Sequence, residues 1–538
     1  MGRRDGGFGG FVAVCPTVDN QRSYLWNVVL IAAFILLAAV GILRHEIWRD
    51  EAQAWLLARD SESLGALFRS SRYEGHPLLW HFCLFWLAKI SHSPLMMQGF
   101  NWILAIASAV LVVTRSPFSL LQRGLIAFGY FSFYEYTVLS RSYGMGVCLV
   151  FLFCALYGRK QPGYWGLVAV LVLLANTSIF GLAISGSLAI ALFYRLFFSM
   201  GVFLRRPVDA QLLRTSPRSR WPYYFAVLLL GWVLSGYQVI RAVNENIAQQ
   251  PVLDAEGAMS WLENVNKLFQ ILLKSYVPMP NFRFHFWNGH LLEDLSLLPR
   301  IGPIFLFISG VLILLVMALA VRLLRKTPVF LWVYGVGTLS MGGLFVFVYR
   351  GTTRHYGHLF VLWLACLWLS RWQLEGRWLD GDGKESFWNR LLTGVLCLHA
   401  FSGAYAYIAD VRFPFSTSYE AASKIEATGL VRLPLLGLHQ RPVSPLSVYL
   451  DRQIYYPEAE GFGSFWDISH PEIVDRQEVV RSLESFAAKN PAFVAVLTEP
   501  LDEDSLSSRL VVHELGDVGP GIVETESFSL YEVERRTE

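Results

Sequence analysis

Residues Tyr24 to Leu43 form an unbroken stretch without a charged side chain. At about 1.5 Å of rise per residue, such a stretch is long enough to cross about 30 Å of hydrocarbon as a helix. No other feature narrows the fold as far. Within a bilayer, backbone N–H and C=O groups find no water, so a lone apolar segment has to satisfy them internally as a helix. The pattern recurs at about 24–43, 76–90, 96–114, 118–136, 141–157, 163–176, 179–198, 222–243, 302–323, 328–349, 357–371 and 388–409. Only 16% of the 538 residues are charged, against about one-quarter in soluble domains. Arg3, Arg4 and Arg22 ahead of the first stretch also suit a secretory signal peptide. However, Arg44-His45-Glu46 follows it with no small-residue cleavage site.

Orientation follows from Lys and Arg in the connecting loops. Loop 199–221 holds Arg205, Arg206, Arg214, Arg218 and Arg220 against Asp209; Arg159 and Lys160, and Arg325 and Lys326, mark two more loops. These read as cytoplasmic, which puts 44–75, 244–301, 350–356 and everything after 410 on the opposite face. The expected organisation is a cytoplasmic tail over 1–23, an all-α polytopic domain over 24–410, and an extracytoplasmic α/β domain over 411–538. An inside N-terminus and an outside C-terminus need an odd number of crossings, so about eleven transmembrane helices are expected. One segment between 76 and 136 then has to fail to span, with 96–114 and 118–136 the expected place for a half-spanning piece. In loop 44–75 the spacing of Ala52, Trp55, Leu56 and Arg59 predicts an amphipathic helix lying flat at the interface, with a second near Leu64–Phe68. In the tail, helices are expected at 418–428, stopped by Gly429, and at 472–488. Strands are expected at 430–437, 445–450, 492–498, 509–514 and 528–533.

A net charge of +3 gives no ground for a nucleic-acid partner. The six cysteines lie in the N-terminal tail or in apolar segments without metal-type spacing, which argues against disulfides and structural zinc.

Four motifs carry ionisable groups to segment ends. Trp48-Arg49-Asp50-Glu51-Ala52 follows the first segment; a carboxylate there can act as a general base or help ligate a divalent metal. The same acids would also simply balance Arg44, Arg49 and Arg59 in a solvated loop. In Glu74-Gly75-His76-Pro77-Leu78, Pro77 suits a first helical turn, and His76 would stand at a helix N-terminus, a place for an anion, or be an ordinary interfacial histidine. Glu135 and Arg141 lie between two apolar stretches, where ionisable groups are functional candidates or a mutual ion pair fixing helix packing. In Tyr349-Arg350-Gly351-Thr352-Thr353-Arg354-His355-Tyr356, two arginines and a histidine suit a lipid-linked phosphate, or anchor helix ends by snorkelling. Lys274 is a further cation on the long loop. All map to one face of the membrane.

With these motifs the chain resembles the polytopic glycosyltransferases of the C superfamily that use polyprenyl-phosphate sugars, the relatives of protein O-mannosyltransferases and lipid A aminoarabinose transferases. The resemblance covers about 20–410 and rests on Trp48 to Ala52, Glu74 to Leu78, Ser140-Arg141-Ser142-Tyr143 and Arg354-His355-Tyr356. It implies a polyprenyl-phosphate-linked sugar donor, an extracytoplasmic acceptor and inversion at the sugar carbon. It also implies Asp50 as catalytic base with Glu51 beside it, and Glu135 as a second acidic position. His76, Arg141, Lys274, Arg350, Arg354, His355 and Tyr356 are left as the donor-phosphate side. Members often carry lysine where this chain has His76, which moves the main phosphate contact to Arg354. The residues require no cofactor, and a divalent metal stays open. A transporter of lipid-linked saccharides would instead want charges within the spans and internal repeats; a non-catalytic envelope assembly protein is the third reading.

Overall fold

A computed structural model describes residues 18–159, 163–198, 217–249, 261–374, 383–467, 469, 473, 475–501 and 509–536. Lys160, Arg205, Arg206, Asp209 and Arg214 of the orienting loops, and Arg3 and Arg4, lie outside them.

Each of the twelve apolar segments is helical. In chain order the helices are α1 (Val18–Arg44), α2 (Arg49–Asp60), α3 (Leu64–Ser70), α4 (Leu79–Ala88), α5 (Leu95–Arg115), α6 (Leu120–Ala127), α7 (Ser142–Tyr157), α8 (Tyr164–Ala175) and α9 (Ile179–Phe198). They continue as α10 (Trp221–Gln249), α11 (Trp261–Tyr276), α12 (Leu291–Ser296), α13 (Gly302–Leu324), α14 (Pro328–Gly343), α15 (Thr353–Gln373) and α16 (Gly383–Arg412). Seven of these helices among the described residues are long and apolar enough to cross a membrane. The chain is thus a multi-helix membrane protein. Segment 118–136 is broken: α6 ends at Ala127, and Tyr130–Val138 winds as a π-helix after Gly129. Segment 76–90 yields only the ten residues of α4, about 15 Å of helix and half a bilayer core.

Helix α2 departs from expectation. It does not lie open at an interface: Glu51 to Arg59 are all buried. Trp55, Leu56 and Leu57 pack with Trp80, Leu84 and Phe85 of α4, and Val448 of the C-terminal region joins the same cluster. The helix is amphipathic, but its polar side faces protein, because the C-terminal domain covers it.

That domain holds a six-stranded sheet in the order β3-β2-β1-β4-β6-β5. The strands are β1 (Leu435–Gly437), β2 (Ile454–Tyr456), β3 (Gly461–Gly463), β4 (Ala492–Leu497), β5 (Leu510–Val518) and β6 (Phe528–Arg535). Strand β1 runs parallel to β2 and β4, and β4-β6-β5 are antiparallel. Alternation decides the faces. Leu435, Val494 and Val496 pack under α17 (Ser418–Ala427), while Leu436, Phe493 and Ala495 pack under α18 (Arg476–Ala487). Gly429 has φ +74, as expected of a residue stopping α17. The expected strand at 445–450 is instead a helical turn, Leu446–Tyr449. Pro445, with φ −59, initiates it, and Leu446 and Leu450 then point inward together, a helical rather than a two-residue period.

Close helix packing sets the depth of α15. An added Cβ at Gly357 would overlap the Phe131 ring and the Tyr136 hydroxyl. That hydroxyl donates to the Arg354 carbonyl at 2.6 Å. Gly357→Ala should therefore lower stability by about 1–3 kcal/mol, read as an earlier thermal unfolding of the purified protein. An unchanged melting temperature would refute this packing.

Candidate active site

Three chain segments far apart in sequence meet around Asp50. Helix α2 starts directly after α1 and the loop His45–Trp48, which puts Asp50 in its first turn. Gly351, at φ +63, lets the chain turn sharply into α15, where Arg354 is the second residue. Arg141 precedes α7. Arg354 Nη2 donates to Asp50 Oδ2 at 2.8 Å. Arg141 Nη1 donates to the Asp50 carbonyl, and its Nη2 stands 3.9 Å from Asp50 Oδ2. Asp50 keeps 20% of its side-chain surface exposed, twice the 10% of either arginine. It is thus the most accessible of the three. Burial alone would raise the Asp50 pKa, but Arg354, then Arg141 and Arg49, outweigh it and hold the carboxyl below its ordinary value.

The Arg354 guanidinium lies 4.8 Å from the Trp48 ring centre and 5.2 Å from that of Trp287. The two indoles meet edge to face at 4.7 Å. Stacking of this kind restrains the guanidinium plane while leaving its N–H edge available. Its buried Nε has no partner among the described residues.

Glu51 does not face Asp50's opening. It is fully buried, accepting from His45 Nε2 at 2.9 Å with one oxygen and from the Ser140 backbone N–H with the other. His45 Nδ1 in turn donates to Asp410 Oδ2 at 2.8 Å. Burial lowers the affinity of His45 for a proton, yet Asp410 and Glu51 together raise its pKa well above 6.5. A carboxylate–imidazolium–carboxylate bridge therefore joins the ends of α1 and α16 to the first turn of α2.

His76 comes into the cluster, bonding to the Tyr143 hydroxyl at 2.9 Å, with Nδ1 buried and unpartnered among the described residues. Burial, reinforced by Arg141, His81 and Arg354, pushes its pKa down to about 3. It is neutral and adds no positive charge for an anion. Glu74, His76, Arg72 and Arg241 line an adjoining shallow recess.

The remaining candidates bond to other partners. Glu135 and Arg141 do not pair. Glu135 accepts from Tyr130 Oη at 2.8 Å and from Nε1 of Trp287 at 3.1 Å, the indole that also lies against Arg354. Its second oxygen is buried and unpartnered among the described residues. Lys274 is held by Glu293 at 2.6 Å rather than by the Asp50 cluster. His355 caps its own helix, accepting from the Thr352 N–H at 2.8 Å, and its ring packs on Tyr143. Arg350 is exposed, and its carbonyl accepts from the Tyr356 hydroxyl at 2.7 Å. Among the described residues no group of three or more His, Cys, Asp or Glu could hold a metal ion.

Sequence reasoning missed His45, Asp410, Tyr143, Trp287 and Glu526 as members of this neighbourhood. Asp410, an acid ending the last apolar segment, and Trp287, ending an aromatic run, were the available signals.

No family model and no curated protein matches this chain. Among solved structures, it is similar to ArnT from Cupriavidus metallidurans in the apo state. That match has 14% sequence identity, covers 95% of this chain and 98% of the other, and has a TM-score of 0.48. It is likewise similar to the same protein bound to undecaprenyl phosphate, with 14% identity, 94% and 98% coverage, and a TM-score of 0.45.

Proposed function

We propose that this chain is a membrane glycosyltransferase, moving a sugar from a polyprenyl-phosphate donor to an acceptor on the extracytoplasmic face. The observation that carries the reading is the 2.8 Å contact between Asp50 and Arg354, residues 304 positions apart. A base and a phosphate-binding guanidinium are the two groups that an inverting transfer needs side by side.

In this reading the donor phosphate takes the unpartnered Nε edge of Arg354, with its plane fixed by Trp48 and Trp287. Sharing the guanidinium with a phosphate weakens its hold on Asp50, and the carboxylate becomes a stronger base as the donor arrives. The acceptor hydroxyl attacks the sugar carbon, its proton passes to Asp50, and the bond between that carbon and the phosphate oxygen breaks. The electron pair stays on the phosphate, facing Arg354 and Arg141. Attack opposite the leaving group inverts the centre. His76 is a neutral hydrogen-bonding neighbour, and Glu51 holds α2 in place. The three basic loops set the orientation, with the N-terminus inside and the C-terminal domain outside.

The test is binding of undecaprenyl phosphate to the purified full-length protein. Arg354→Lys keeps the charge but loses the planar, multi-donor edge, and should weaken binding by about tenfold or more. Lys274→Ala, whose ammonium is taken up by Glu293, should stay within about twofold. Equal affinity in Arg354→Lys and wild type would remove the phosphate site from this place.

A further inference from the structure

Capping of α2 from within is slight: Glu51 Oε2 accepts from the Trp48 N–H at 3.5 Å, the long limit of a hydrogen bond. Its N-cap residue is Trp48, whose side chain makes no capping hydrogen bond. The next N–H, that of Arg49, takes its partner from the far end of the chain. Glu526 Oε1 accepts from the Arg49 backbone N–H at 3.1 Å, across 477 residues, and Thr525 Oγ1 accepts from Arg49 Nη1 at 3.1 Å. The Glu526 carbonyl is itself fixed by the Thr417 hydroxyl at 2.5 Å. Glu526 is fully buried, and burial pushes its pKa up to about 7.

More of the same domain follows along the helix. The Ile47 N–H donates to Tyr449 Oη at 2.7 Å. Gln53 exchanges two hydrogen bonds with the Trp466 backbone, at 3.0 and 3.1 Å. Arg59 reaches the Ser447 carbonyl at 3.1 Å and Asp451 at 3.0 Å. The helix that presents Asp50 is thus bonded along one side to the soluble domain, and against α4 on the other.

We propose that Glu526 is a positioning residue for Asp50, so that the C-terminal domain sets the catalytic carboxylate through the backbone of Arg49. This rests on the assignment of Asp50 as the base. Fixed geometry matters there because an error of about 1 Å in a reacting group costs up to about 100-fold in rate. Free backbone N–H groups at a helix start otherwise let the first turn fray.

The experiment compares Glu526→Gln and Glu526→Asp in the full-length protein in lipid vesicles, with turnover of a labelled undecaprenyl-phosphate-linked sugar as the readout. Gln keeps an oxygen at the same reach; Asp keeps the charge but withdraws it by one methylene. The expected result is near wild-type kcat for Gln and about tenfold lower kcat for Asp, with KM for the donor within about twofold in both. Hydrogen exchange at residues 49–52 should speed up in Asp and not in Gln. A role in stability alone would reduce folded protein without this split. Wild-type kcat and unchanged exchange in Glu526→Asp, with Asp50→Asn inactive, would overturn the positioning role and leave the base assignment standing. An active Asp50→Asn would remove the base assignment instead, while faster exchange in Glu526→Asp would still report the cap.

Discussion

Asp50→Asn is expected to lower sugar transfer by about 100- to 10,000-fold while leaving the protein folded and able to bind undecaprenyl phosphate. The amide has the shape of the carboxylate, and its oxygen can still accept from Arg354, so the 2.8 Å contact survives in weakened form. What is lost is a group able to take a proton from the acceptor. Removing one negative charge beside Arg354 and Arg141 should, if anything, tighten prenyl phosphate binding. The measurement is paired: turnover of a lipid-linked sugar, and affinity for undecaprenyl phosphate, in the same preparation. Retained turnover would reject Asp50 as base. Lost binding with lost turnover would assign it to donor binding instead.

The second large effect concerns the bridge behind Asp50. His45→Ala leaves Glu51 and Asp410 facing each other at 0% and 2% side-chain exposure without the imidazolium between them. Breaking a buried pair by removing one partner costs about 3–5 kcal/mol, so thermal unfolding should shift markedly downward. Adding Asp410→Asn to His45→Ala removes one of the stranded charges and should recover part of the loss; full additivity of the two losses would argue that they do not interact. The pH dependence has a definite sign. The folded pKa of His45 is raised above 6.5, first against burial and then by Asp410 and Glu51. Its stabilisation is therefore complete below about 6.5 and fades as pH rises through the higher folded value. Wild type should lose this contribution on the alkaline side, and His45→Ala should show no such component. An equal alkaline decline in both would place the titrating group elsewhere.

Much of the site was legible because its chemistry is carried by short motifs at segment ends. Asp50, His76, Arg141 and Arg354 were all named from sequence, and all lie in one cluster. Lys274, Arg350 and His355 look identical on those terms, since each is a cation or imidazole near the same surface. They differ only in local partners: Glu293 for Lys274, and the Thr352 N–H for His355. Tertiary contacts of that kind leave no periodicity behind. The Glu135–Arg141 pair failed for the same reason, since closeness in sequence says nothing about which carboxylate a guanidinium will face.

Glu526 shows the limit most clearly. It stands in a tail of mixed α/β character, with no motif around it, and its relation to Arg49 spans nearly the whole chain.

From the sequence alone came the solvent and the framework. Apolar segments of span length must be helical in lipid, because backbone groups there have no water to bond. Charged residues must then collect at segment ends, where they stay hydrated. Which ends converge, which acid meets which arginine, and that the C-terminal domain bonds to the first turn of the helix bearing Asp50 were decided only by folding. Those outcomes depend on helix packing and hydrogen-bond geometry between segments hundreds of residues apart, at distances of about 3 Å that no local pattern encodes.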